Sequence, residues 1–166
     1  MVKALFFIAA LIVTTQTYAN DAAPSYFNVW SIGGSASSNT RALDGFEFDV
    51  APYATAWGGH STQNDFGYYF GVAIPFQTDE FDYTYTMLNG GVTYSIGPNI
   101  VVYSGVGYSF EEARVRGYWG EVYRTTKNND QVNLNSGIII TGQRFGVNAG
   151  YDTASRQISI GIATRF

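Results

Sequence analysis

The chain has 166 residues, a formal net charge of −4 and no cysteine. The acidic balance argues against nucleic acid as a partner, and the missing thiols exclude a disulfide framework and thiolate-held metals. Glycine (19), tyrosine (13) and phenylalanine (12) are abundant, a mix that suits pleated strands and disfavours helices.

Residues 1–19 read as an export signal. Lys3 supplies a positive start, residues 4–13 are an unbroken apolar stretch, and Thr17-Tyr18-Ala19 places small residues where signal peptidase cuts, before Asn20. The apolar run is too short to span a bilayer, which takes about 20 residues. Residues 20–166 then form one domain, with no shift in composition and no linker to divide them.

Beyond the leader the dominant signal has a period of two, which predicts eight strands at 25–34, 44–57, 66–76, 83–95, 100–110, 131–141, 143–151 and 156–166. The first has no clear phase, since Tyr26, Asn28, Trp30 and Ile32 suit an apolar face about as well as Phe27, Val29, Ser31 and Gly33. The second places Glu47 and Asp49 on one face. In the third, Phe66, Tyr68, Phe70, Val72 and Ile74 alternate with Gly67, Tyr69, Gly71 and Ala73. Asn89-Gly90-Gly91 interrupts the fourth; reading it as a turn would leave pieces too short to span a membrane, so it is taken as glycine facing crowded neighbours or as a bulge. The fifth sets Ile100, Val102, Val106, Tyr108 and Phe110 against small residues, and the last sets Ile158, Ile160, Ile162 and Phe166 against Gln157, Ser159, Gly161 and Arg165.

One apolar face and one small or polar face on strands of about ten residues is the pattern of a strand between lipid and a polar lumen. The fold expected is therefore all-β: an antiparallel, eight-stranded, up-and-down transmembrane barrel. Charge placement supports it. Most charges fall between strands, and those well inside strands, Glu47, Asp49, Arg144 and Arg165, share the lumen phase. There the carboxylates require partners such as Arg144, Arg165 or tyrosine hydroxyls. A soluble sandwich or lipocalin-like barrel would instead turn these four to water. Scarce lysine, the aromatic load and the terminal Phe166 favour the membrane reading.

With both termini periplasmic, the longer connections 35–43, 77–82, 111–130 and 152–155 face outward, and 58–65, 96–99 and the turn at Gly142 face inward. Segment 58–65 is longer than such a turn usually is.

Residues 85–112, YTMLNGGVTYSIGPNIVVYSGVGYSFEE, and the C-terminal ISIGIATRF carry a resemblance to the small outer-membrane barrel families around OmpX, Ail and the OmpA transmembrane domain. The resemblance implies residence in the cell outer membrane, and contact with its lipid and lipopolysaccharide. It also implies recognition of the closing strand, with Phe166 as assembly signal, by the barrel-assembly machinery. No peptidoglycan-binding domain follows Phe166, so the two-domain OmpA arrangement is not expected. Members of these families include adhesion and serum-resistance proteins, which points to host or surface proteins as partners of the outer loops.

Two eight-stranded outer-membrane families modify lipid A, using a histidine with a serine and an acidic partner. Here His60 is the one histidine, placed in a turn, and the adjacent Ser61 would point to the opposite face of a strand, so catalysis is not expected. Gly105-Val106-Gly107 lies within a strand with no helix behind it and makes no phosphate cradle. Asp79, Glu80 and Asp82 read as a solvated loop, and no metal or cofactor is expected. A barrel of this size is filled by its own side chains, which disfavours a small pore. The expectation is a monomeric barrel with a structural or surface-interaction role, a lipid A-modifying enzyme and a small pore being the alternatives. The candidate contact residues lie in the longest loop: Arg114, Arg116, Tyr118, Trp119, Tyr123 and Arg124, since arginine and aromatic side chains are enriched at binding hot spots. The ends of that loop also read as strand extensions forming a protruding hairpin.

Overall fold

The computed structural model describes residues 25–34, 40–43, 46–63, 65–76, 83–116 and 122–166. Among them are the strands β1 (Ser25–Gly34), β2 (Thr40–Leu43), β3 (Phe46–Asp49), β4 (Tyr53–Ser61), β5 (Phe66–Pro75), β6 (Tyr83–Ser95), β7 (Ile100–Arg116), β8 (Val122–Asn128), β9 (Gln131–Thr141), β10 (Phe145–Asp152) and β11 (Gln157–Arg165), and no helix. Eight of these, all but β2, β3 and β8, form a closed antiparallel barrel. β11 returns to β1 from Phe27 opposite Arg165 to Gly34 opposite Ile158, and β6 meets β7 from Tyr83 opposite Ala113 to Ser95 opposite Val101. Closure satisfies the backbone from strand to strand and leaves no sheet edge within the barrel wall.

The alternation holds around the wall. Trp30, Ile32, Phe66, Phe70, Val106, Ile160 and Phe145 are exposed on the outside, Ile160 to 68% and Phe145 to 71%, while the residues between them turn inward. Apolar side chains of that size displayed on every side suit hydrocarbon, and they would be unfavourable in water. The first strand takes the phase with Tyr26, Asn28, Trp30 and Ile32 outward, because Phe27, Val29 and Ser31 are buried. Asn89-Gly90-Gly91 is unbroken strand without a bulge, with Asn89 opposite Gly71 and Gly91 opposite Tyr69. Gly91 faces the lumen, where a Cβ would run into the Ser104 carbonyl and the Tyr69 ring.

The expected strand 44–57 is corrected. Its first half is β3, which folds back on β2 as a separate hairpin, Thr40 opposite Asp49 and Leu43 opposite Phe46. The barrel strand β4 starts at Tyr53, just after Pro52, whose lack of an N–H breaks a continuous ladder. In the gap the chain crosses the barrel mouth: Val50 bridges Tyr83, and the Ala51 N–H donates to the Tyr83 carbonyl at 2.8 Å. Phe48 and Val50 are thereby buried with Tyr53, Tyr83, Tyr85, Met87 and Ala154 in an apolar cluster at that mouth. The phase is the reverse of the expected one. Asp49 is exposed and does not enter the lumen. The side chain of Glu47 lies outside the described residues.

Displacement of β4 toward the chain termini also removes the long turn expected at 58–65. Gly58 to Ser61 are strand, and the turn closes with the Asp65 N–H donating to the Thr62 carbonyl at 3.0 Å. The other turns at this rim are equally tight: Ile96 N–H to the Ile100 carbonyl at 2.7 Å around Gly97, whose φ of 73° suits glycine, and Gly142 N–H to the Phe145 carbonyl at 2.7 Å. Long connections therefore share one rim, and the short turns and chain ends share the other.

The lumen is solid at mid-height. Trp57, Tyr69 and Tyr103 stack on one another with ring centroids 4.9 to 5.4 Å apart. Gly105 and Gly150 lie against the Tyr69 and Tyr103 hydroxyls, where a side chain of any size would collide. A cavity of about 30 Å³ remains beside these rings, enough for one or two water molecules.

Candidate functional site at the long-loop rim

Two carboxylates that the sequence places in loops are part of the barrel interior near the long-loop rim. Asp152 ends β10 and is buried; it accepts hydrogen bonds from the Tyr53 hydroxyl at 2.5 Å and the Asn133 amide at 2.9 Å, with the Asn89 amide at 3.5 Å. Asn133 also donates to Asn89 at 2.9 Å and accepts from the Ala154 N–H at 3.0 Å, which ties the turn after β10 to β9. Glu111 lies on β7, buried, accepting from Tyr83, Gln131 and, at 3.2 Å, Asn129. A phenol and amides thus donate to each of the two acids. Both sit on the inward phase of strands that run past their expected ends: Glu111 follows Gly107 and Ser109, and Asp152 follows Asn148 and Gly150.

The expected lumen arginines divide. Arg165 is on the inward phase, but at the short-turn rim, where its guanidinium donates to the Pro98 carbonyl at 2.5 Å and the Ser25 hydroxyl at 2.6 Å. Arg144 is exposed in the turn before β10 and is not a lumen residue, because the turn consumes residues 142–144 before the strand begins. Neither arginine pairs with Glu111 or Asp152, which sit toward the opposite rim. Phe166 is half-exposed beside β1, exchanging backbone hydrogen bonds with Tyr26 at 3.1 and 3.2 Å. His60 is on β4 and outside any turn; its ring lies between Tyr26 and Tyr68, while Ser61 turns inward and shares a 2.7 Å hydrogen bond with Ser95.

Above the mouth, β7 outruns its barrel neighbours. Its pairing with β6 stops at Ala113 and that with β9 at Ser109, yet β7 continues to Arg116 and pairs with β8, Glu112 opposite Asn128 and Arg116 opposite Val122, with a bulge between Ala113 and Val115. This is the hairpin that the ends of the long loop suggested. Arg114 and Arg116 are carried on its first strand and Tyr123 and Arg124 on its second; their side chains, and all of Tyr118 and Trp119, lie outside the described residues. Asp79, Glu80 and Asp82 lie outside them as well.

A closed eight-stranded wall, apolar outside, with short turns at one rim and a standing hairpin at the other, is the decisive geometry. The fold is that of a small outer-membrane β-barrel. Among solved structures it is similar to Ail, the attachment invasion locus protein of Yersinia pestis, at 15% identity over 86% of this chain and 97% of that one, with a TM-score of 0.64. The same protein in complex with the heparin analogue sucrose octasulfate matches at 14% identity over 89% of this chain and 100% of that one, TM-score 0.63. The N-terminal β-barrel domain of Pseudomonas aeruginosa OprF matches at 10% identity, 86% of this chain and 97% of that domain, TM-score 0.51. No family model matches the chain, and no curated protein matches it in sequence.

Proposed function

We propose that this is an integral protein of the outer membrane, made with a cleaved leader at residues 1–19, whose role is surface interaction through the long-loop rim. The observation that carries this is the β7–β8 hairpin: the outer wall is apolar and the lumen is packed, which leaves the hairpin and its neighbouring loops as the surface free to meet a partner. Its positions carry Arg114, Arg116, Arg124 and Lys127 together with Tyr118, Trp119 and Tyr123. The solved complex of Ail with a heparin analogue makes sulfated polysaccharide the first ligand class to try, with host surface proteins second. The closing strand and Phe166 serve assembly by the outer-membrane machinery, and the protein acts as a monomer.

The test is binding of the refolded protein to immobilised heparin and to host matrix proteins, with and without residues 117–127 replaced by a tight turn. Shortening leaves the barrel folded, because the deleted strand residues pair with β7 only from Ala113 upward, and Ala113 is the last β7 residue paired with β6. Loss of binding supports the hairpin as the site, and binding at unchanged affinity refutes it.

A further inference from the structure

Among the described residues the β2–β3 hairpin and the β7–β8 hairpin share no strand pairing, yet both are tied to Tyr83 at the start of β6. Tyr83 pairs with Ala113 of β7 on one edge and with Val50 on the other. The Ala51 N–H donates to the Tyr83 carbonyl at 2.8 Å, and the Phe48 ring packs on the Tyr83 ring with centroids 6.1 Å apart. The backbone and ring of Tyr83 thus seat a strap, residues 48–51, that continues from the β2–β3 hairpin across the mouth. The hydroxyl of the same tyrosine donates to Glu111 on β7.

Glu111 lies where the β7–β8 hairpin joins the wall. β7 pairs with β9 up to Ser109 opposite Gln131, and with β8 from Glu112 opposite Asn128. Between these pairs Asn129 and Asp130 belong to neither strand, and the Asn129 N–H lies 3.4 Å from the Glu111 carbonyl, long for a ladder hydrogen bond. The Glu111 side chain spans this break. It accepts from the Asn129 amide at 3.2 Å on the hairpin side and from the Gln131 amide on the barrel side, with Tyr83 as third donor. Because the residue is buried, loss of one donor is not made good by bulk water.

We propose that Tyr83 and Glu111 form a latch that makes the strap and the β7–β8 hairpin move as one, the hairpin standing firm only while the strap is seated. Seating the strap holds the Tyr83 ring, the ring holds its hydroxyl on Glu111, and Glu111 holds the weak base of the hairpin. Such linkage is reciprocal: a ligand that steadies either hairpin steadies the other. That consequence rests on the surface role proposed above, and the latch itself does not.

The experiment follows backbone amide hydrogen exchange, by mass spectrometry of fragments, in the full barrel refolded in detergent with no partner added. Amides of 122–128 are protected in the wild type. Replacing residues 40–49 by glycine and serine at equal length removes Phe48 and the β2–β3 pairing and alters no strand of the wall. Tyr83→Phe removes the hydroxyl and keeps the ring. Each change speeds exchange across 122–128 at least about tenfold, and the two together do so no more than either alone. Amides of 132–140 and 146–151, in β9 and β10, keep the wild-type rate, which shows the barrel intact. Where the replacement does not fold, Phe48→Ala stands in for it under the same criteria. Unprotected amides at 122–128 in the wild type overturn the latch, as does unchanged exchange there in either folded variant, or effects that multiply in the double variant. A chain that fails to bind heparin but shows the coupled exchange loses the surface proposal and keeps the latch, and the converse result loses the latch alone.

Discussion

At Asp152 the barrel holds a buried carboxylate, and its three donors decide whether the residue can be replaced. Leucine at this position would leave the Tyr53 hydroxyl and one N–H of the Asn133 amide without an acceptor, each costing about 1–3 kcal/mol when buried. Asp152→Leu should therefore lower the temperature at which the compact gel form converts to the extended one, and Asp152→Asn, which keeps one acceptor, should lower it less. Equal midpoints for the two variants would show that the donors find other partners. The same residue marks where sequence reading stopped short. Period-two alternation shows which way a side chain points only while the strand continues, and a strand end followed by Thr153, Ala154 and Ser155 looks like a polar loop. What keeps Asp152 in the wall is Asn133, a strand away and invisible to local pattern.

Among the elements, β6 and β9 occupy the spans their alternation indicates, because long strands with a lipid face and a lumen face carry the signal twice over, and β1 occupies its expected span although its sequence shows no clear phase. β4 does not. Its apolar start at Phe48 and Val50 imitates a strand, while Pro52 sits in the middle of it, and a proline inside an apparent central strand is a physical argument for a break there. The ends of the long loop read as strand extensions, and the pairing of β7 with β8 is that hairpin. β11 is the element on which assembly is expected to depend: it closes the wall against β1 and ends in Phe166. Deleting Phe166 should cut the amount of folded protein recovered from the outer membrane several-fold without reducing synthesis, measured by fractionation against total protein. An unchanged yield would remove the role given to the terminal aromatic.

For the molecule as a whole, closure predicts resistance: with each strand of the wall paired on both sides, the folded form should survive sodium dodecyl sulfate at room temperature and migrate differently after boiling. Identical migration before and after boiling would contradict the membrane barrel. The apolar cluster at the long-loop mouth has a consequence for how the protein changes over generations. Phe48, Val50, Tyr83, Tyr85 and Met87 form a stopper between the packed lumen and everything above it. Substitutions, insertions or deletions in the hairpin end at that stopper and do not propagate into the aromatic stack below. Related chains should therefore diverge fastest across 114–127 and slowest around Trp57, Tyr69 and Tyr103, where the rings fill the lumen against one another.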